Sequence, residues 1–280
     1  MAPGRDPLAP GVVVVQGPGM ERWIAQSIAR DYGVCANTAF PFPRDFLERV
    51  FRAIPDESLA RSNSGWDVRN LTWRIAKRLE EGRDDPDFAP LARQLNAVDG
   101  DWRLVQLAHR IAILLDQYIT YRPDWIFAWT NASALPDGRD ERWQARLFRE
   151  VISELGGGHV ADRALAFQRC LASGDLRAVE RRLRVEFPDA IEVFAVSTLP
   201  PLYLSVINEL ARKRDVHLSI LSPSRHYWAD LWREVKDDQA IAVSSDSGSS
   251  MFDATLSTPA AAFLAGLGRL GSDFQRNLEQ

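Results

Sequence analysis

The stretch Gly11–Arg22, GVVVVQGPGMER, constrains the fold more than any other part of the chain. The segment Val12–Gln16, opening with four consecutive valines, is a β-branched run without polar alternation, as expected of a strand in a parallel sheet with both faces covered. From Met20 the apolar side chains Met20, Trp23, Ile24 and Ile28 recur at helical spacing, which predicts a helix that stops near Gly33. Strand, glycine turn and helix is also how a nucleotide phosphate loop is built. A working loop reads GxxxxGK[ST]: the glycines let N–H groups converge on phosphate, the lysine neutralises charge and the hydroxyl holds magnesium. The turn QGPGMER is roughly three residues shorter than that loop. Pro18 removes a donor, and Met20-Glu21 stand where Lys-Thr belongs. Glu21 would repel a triphosphate at the helix N-terminus. The turn is therefore read as structural, with neither ATP nor magnesium expected in this chain.

Downstream, Pro41 and Pro43 predict an extended segment, and a helix from Asp45 that ends before Pro55. Residues 56–65 read as a polar loop. Helices are expected at Trp66–Glu81, Phe88–Leu95, Asp101–Tyr121, Glu141–Leu155, Ala161–Ala172 and Asp175–Arg184. In the long one, Leu104, Leu107, Ala108, Ile111, Leu114, Leu115 and Tyr118 make an apolar stripe, and Arg122-Pro123 ends it. The segment WIFAW follows, before a loop. Then the pattern changes: a strand at Ile191–Leu199, a helix opened by Pro200-Pro201 and a strand at Val216–Ser224 make a βαβ unit, hence a parallel pair. A serine-rich loop (SSDSGSS) and a C-terminal helix complete the chain. The expected fold class is α/β, a parallel sheet of P-loop type with a degenerate nucleotide site. The first strand joins the later pair, and the helices form a large insertion at the sheet's C-terminal edge. The corresponding divisions are a flexible lead-in at 1–10, the start of the α/β domain at 11–55, the helical insertion at 56–188 and the return to the α/β domain at 189–280.

Catalytic chemistry finds no foothold. The four histidines have no HExxH or HxH spacing, and His109 reads as a satisfied, partly buried residue. Asp84, Asp85 and Asp87 read as a solvated turn, as do Asp237-Asp238, and there is no GxSxG. Cys35 and Cys170 form no CxxC pair and read as core thiols in a reducing cytoplasm. A net charge of −4, from 34 basic and 38 acidic side chains, supplies no global attraction to nucleic acid, so any such contact must be local. Trp23, Trp66, Trp73, Trp102, Trp125 and Trp143 are expected in the core.

Three strings taken together are more specific: VVQGPGMERWIAQSIARDYGVCANTAFPFPRDFL, LLDQYITYRPDW (Leu114–Trp125), and STLPPLYLSVINEL followed by SPSRHYWAD. In this order and spacing, with the C-terminal FLAGLGRLGSDFQ, the chain resembles the N-terminal part of the RecC family, the gamma subunits of exodeoxyribonuclease V. The resemblance implies domains folded like a superfamily 1 helicase but lacking working nucleotide motifs. It implies a non-catalytic, DNA-guiding scaffold that binds a RecB-like helicase–nuclease and a RecD-like helicase, which would carry the ATP and magnesium. Such a subunit guides the 3′ single strand through a tunnel, and some members read a recombination hotspot. The tunnel positions fall on Gln16, Pro18, Arg22, Phe42, Glu48, Ile113, Leu114, Asp116, Arg122 and Arg163, with Gln117 alongside. Gln16, Leu114, Asp116, Gln117, Arg122 and Arg163 match the family pattern; Pro18, Arg22, Phe42, Glu48 and Ile113 depart from it. The strand-contacting set is therefore Gln16, Arg22, Phe42, Leu114, Asp116, Gln117, Arg122 and Arg163. Arginine can pair with phosphate or stack on a base, and Phe42 can stack. Against these stand plainer readings: Asp116 pairing with Arg122, Arg122–Trp125 as a helix stop, and a purely structural domain whose Arg22, Arg122 and Arg163 share no groove.

Overall fold

The computed structural model describes residues 10–91, 100–133, 135–172, 176–196, 198–220 and 274, with backbone alone at 100 and 176. The serine-rich loop, the C-terminal helix, residues 92–95 of the short helix and residues 221–224 of the last strand lie outside the described residues. The chain divides into two compact units. One draws on Met1–Pro43, Phe187–Leu204 and Arg214–Gln280, and the other on Arg44–Glu186 and Ser205–Lys213.

The first unit is built on a parallel sheet of order β2-β1-β3-β4. Strand β1 (Gly11–Val14) pairs with β2 (Thr38–Ala39) on one side and β3 (Ala190–Phe194) on the other. Strand β4 (Asp215–Ser219) pairs with β3 over Ala190↔Asp215 to Phe194↔Ser219. The valine run forms the expected strand, which begins at Gly11 and stops at Val14, short of Gln16; Val12, Val14 and Val15 are buried and Val13 is half-buried. Helix α1 (Pro18–Tyr32) has Pro18 at its first turn, where the missing N–H costs nothing. It ends at Gly33, whose φ of 84° is the left-handed cap that glycine supplies without strain. Strand β3 stops at Phe194, short of the expected Leu199, because Ala195 turns to φ 51°. The crossover helix α10 (Pro201–Ala211) then leads to β4, giving the expected parallel pair.

The second unit is helical. Helix α2 (Pro43–Phe51) buries Phe46, Leu47, Val50 and Phe51. The expected loop at 56–65 instead holds two capped turns, because its polar side chains satisfy backbone donors. Asp56 Oδ1 accepts from the Ser58 N–H (2.9 Å) ahead of α3 (Glu57–Ala60), and Asn63 Oδ1 accepts from the Gly65 N–H (3.0 Å) in a 3-10 turn at Ser64–Trp66. Helices α4 (Val68–Glu81) and α5 (Gly100–Tyr121) pack as a pair. WIFAW lies within helix α6 (Pro123–Asn131), followed by α7 (Arg139–Leu155), α8 (Val160–Ala172) and α9 (Leu176–Glu186). Asp85 and Asp87 are not a free solvated turn. They pair with Arg146, and Asp87 also with Arg142, so the 3-10 turn Pro86–Leu91 is tied to α7 and the Asp87 carboxyl is held below its usual range.

The tryptophans divide. Trp66, Trp129 and Trp143 are core residues, but Trp23, Trp73, Trp102 and Trp125 are exposed, contrary to the expectation that they fill the core. Helical spacing places a tryptophan on a face without telling whether that face is covered. His109 is exposed as well, with Nδ1 3.2 Å from Thr72 Oγ1. Among the described residues the buried histidine is His159, set between the rings of Trp66, Phe127 and Phe148. Its Nδ1 accepts the Asp162 N–H at 3.2 Å, so the neutral ring carries its proton on Nε2, 3.2 Å from Asp162 Oδ2. Burial pushes its pKa below the ordinary value, with Asp162 pulling the other way. A depressed folded-state pKa gives stability that is present above the unfolded value of about 6.5 and lost as pH falls through the folded value. Urea titrations from pH 7.5 to 5 are expected to show this loss, and His159→Asn, which keeps a cap acceptor, is expected to flatten the profile. An unchanged profile in the variant would assign the acid sensitivity elsewhere.

Candidate nucleic-acid interface

The residues expected to contact a strand fall on both units. In the first, β1 has β2 on one side and β3 on the other, so the chain winds away in opposite directions from β1. The carboxyl ends of β1 and β3 are thus a topological switch point, where open α/β sheets receive ligands. Gln16 sits there, exposed, and its Nε2 donates to Thr198 O at 3.0 Å, linking the segments that follow β1 and β3. The Val15 N–H donates to Pro41 O at 3.1 Å, continuing the β1–β2 ladder, so Gln16 and Phe42 each come one residue beyond that bond. Phe42 is 39% exposed at this edge. Arg22 lies exposed on α1 with no ion-pair partner among the described residues. Only Val15, Gln16 and Gly17 connect β1 to α1; Gly17 is extended, no side chain caps the helix, and Glu21 occupies its first turn.

In the second unit, Ile113 and Gln117 are exposed on α5, Asp116 is half-buried beside them, and Leu114 is half-buried. Asp116 pairs with Arg44, not with Arg122, at 3.5 Å. Burial pushes its carboxyl above the usual range, Arg44 opposes that, and Asp67 adds to it. Arg122 lies between α5 and α6. Its Nε donates to Asp124 Oδ1 (3.0 Å) and its Nη2 to Asp124 Oδ2 (2.8 Å), while its guanidinium lies 3.8 Å over the Trp125 ring. Arg122 is exposed, so a phosphate or a base can still approach a guanidinium already held in orientation.

Arg163 does not belong with these. It is 1% exposed. Its Nη1 donates to both Glu48 oxygens (2.6 and 2.8 Å), Nε to Leu59 O (2.8 Å) and Nη2 to Ala60 O (3.2 Å), and the group stacks 4.6 Å over Phe51. A guanidinium so committed cannot reach a strand, and Glu48 is spent on it. Sequence reasoning missed Arg44, the partner of Asp116; no local pattern joins residues 72 positions apart. Among the described residues no group of three His, Cys, Asp or Glu side chains could hold a metal, and no helix is long and apolar enough to cross a membrane.

These features define an α/β protein with a small parallel sheet and a helical unit. The chain belongs to the family described as RecC, N-terminal domain, whose model matches residues 1–280. It is similar to the RecBCD enzyme subunit RecC of Escherichia coli (strain K12), 28% identical over 231 residues, covering 81% of this chain and 20% of that protein. The RecBCD enzyme subunit RecC of Haemophilus influenzae (Rd) is 26% identical over 253 residues, covering 82% and 22%. That of Mycolicibacterium smegmatis is 26% identical over 235 residues, covering 81% and 20%. The chain spans about a fifth of the length of these curated relatives.

Proposed function

We propose that this chain is the N-terminal portion of a non-catalytic, DNA-guiding and scaffolding subunit of a cytoplasmic RecBCD-type helicase–nuclease that processes double-strand breaks for homologous recombination. It contacts the 3′ single strand as that strand passes. Its partners are a helicase–nuclease and a second helicase. The observation that carries this reading is the edge at the switch point. An α/β ligand position there holds an amide (Gln16) and a ring (Phe42), with an exposed cation (Arg22) on the following helix. Amide, ring and guanidinium suit an unpaired strand. The three-residue connection to α1, with Pro18 and Glu21, supports a degenerate helicase-like site over an active one.

The test is anisotropy of a labelled single-stranded oligonucleotide titrated with the chain at rising salt. Binding is expected to weaken linearly in log salt, and Arg122→Ala or Arg22→Ala to flatten that slope by about 0.7 for each phosphate no longer neutralised. Binding that ignores both substitutions, or no binding by the folded chain, would leave a scaffold that does not touch the strand.

A further inference from the structure

We propose that the outward face of the α4–α5 pair is a docking surface for an acidic amphipathic helix of a protein partner. The two helices run antiparallel: Thr72 meets His109, and Asp67, just before α4, acts electrostatically on Asp116 further along α5. Each buries one stripe, Leu71, Ile75 and Leu79 on α4 and Ala108, Ala112, Leu115 and Ile119 on α5. On the other side of α4, Arg69, Trp73 and Lys77 recur exposed every four residues. On α5, Trp102, Gln106, His109 and Ile113 do so at spacings of four, three and four. His109 belongs to that exposed row and its partner Thr72 adjoins Trp73, so the two rows lie side by side. Trp73 is 66% exposed, Trp102 67% and Ile113 40%. Large side chains left that open along one face mark a surface meant to be covered, and tryptophan and arginine are the residues on which interface energy concentrates.

Charge selects the occupant. Arg74, Arg78 and Arg83 on this part of the chain are paired with Glu154, Glu81 and Glu80. Arg69, one turn before Trp73, and Arg110, one turn before Ile113, have no ion-pair partner among the described residues. Two unpaired guanidinium groups beside an apolar patch call for carboxylates on whatever covers it. At the Trp102 end the charges balance: Glu80 and Glu81 are paired with Arg83, Arg78 and Lys77, and Asp101 is exposed beside Arg103. A nucleic-acid strand stacking on both tryptophans would gain no net charge pairing at that end. A helix with an apolar stripe and acidic side chains at one end only matches both ends, and helix-on-helix seating is a common recognition mode.

This assignment rests on the proposed function for the source of the helix, a subunit of the helicase–nuclease complex. The test is co-expression of the chain with the helicase–nuclease and helicase subunits of its own genome. Trp73→Glu and Arg69→Glu, both at exposed positions, are expected to lower recovered complex about tenfold or more, while melting temperature and oligonucleotide binding by the chain alone stay unchanged. A benzophenone amino acid in place of Trp102 is expected to crosslink to a subunit. Wild-type assembly with equal assembly of both variants would sink the docking face alone, as would crosslinking to an oligonucleotide. Failure of the wild-type chain to assemble would remove the functional reading, and this inference with it.

Discussion

Replacing Arg163 by alanine is expected to destabilise the helical unit by about 3–5 kcal/mol, the usual cost of removing one partner from a buried ion pair. The side chain is 1% exposed and serves two Glu48 oxygens and two backbone carbonyls, those of Leu59 and Ala60. Alanine would leave all of these without a donor and open a void over Phe51. Arg163→Lys is not expected to rescue the loss, because an ammonium cannot reproduce the fork that reaches Glu48 and Leu59 together. Glu48→Gln keeps an acceptor and should cost less, about 1–2 kcal/mol. Urea unfolding of the three variants measures the order directly. If Arg163→Ala unfolds like the wild type while oligonucleotide binding falls, then Arg163 acts on a strand after all and the buried arrangement is not its role.

Arg163 also shows where sequence reading stops. Its position relative to the family strings is plain from order and spacing, but its partner Glu48 is 115 residues away, and nothing local pairs them. The same holds for Arg44 and Asp116. Features set by neighbouring residues are legible: the valine strand, the glycine that ends α1, the proline stop after α5 and the parallel β3–β4 pair. A short apolar run such as WIFAW fits strand or helix equally until Pro123, at the first turn of α6, is known to open one. The turns at 57–60 and 64–66 are written in Asp56 and Asn63, whose capping role a composition-based reading takes for a loop. Exposure of Trp73 and Trp102 is illegible in principle, because periodicity defines faces and not what covers them. Of the candidate site, the α/β edge at Gln16 follows from strand ends; the alliances of Arg122 with Asp124 and of Asp116 with Arg44 require coordinates.

Phe148→Ala is expected to cost a comparable 3–5 kcal/mol, for a different reason. Phe148 on α7 is fully buried, and its ring lies 5.7 Å from Trp66, 6.3 Å from Trp129 and 6.0 Å from His159. Those three belong to three other elements: the 3-10 turn at Ser64–Trp66, helix α6, and the cap of α8. Each is anchored by its own polar tip, Trp66 Nε1 to Gly157 O at 3.3 Å, Trp129 Nε1 to Glu141 Oε1 at 2.9 Å, and His159 to Asp162. Those anchors oppose collapse into the space left by the ring, so the cavity would persist and its cost would lie toward the upper end. Trp125→Ala provides the contrast. Trp125 is 38% exposed at the outer end of the same aromatic series, 5.5 Å from Tyr118 and 6.4 Å from Trp129. Its loss should cost about 1–2 kcal/mol, but it also removes the ring on which Arg122 rests. Urea unfolding should therefore rank Phe148→Ala far below Trp125→Ala in stability. Oligonucleotide anisotropy on the folded proteins should rank them the other way, with Trp125→Ala the weaker binder. Equal stabilities would mean that the aromatic series is not the core of the helical unit, and equal binding would mean that Trp125 does not orient Arg122 for a strand.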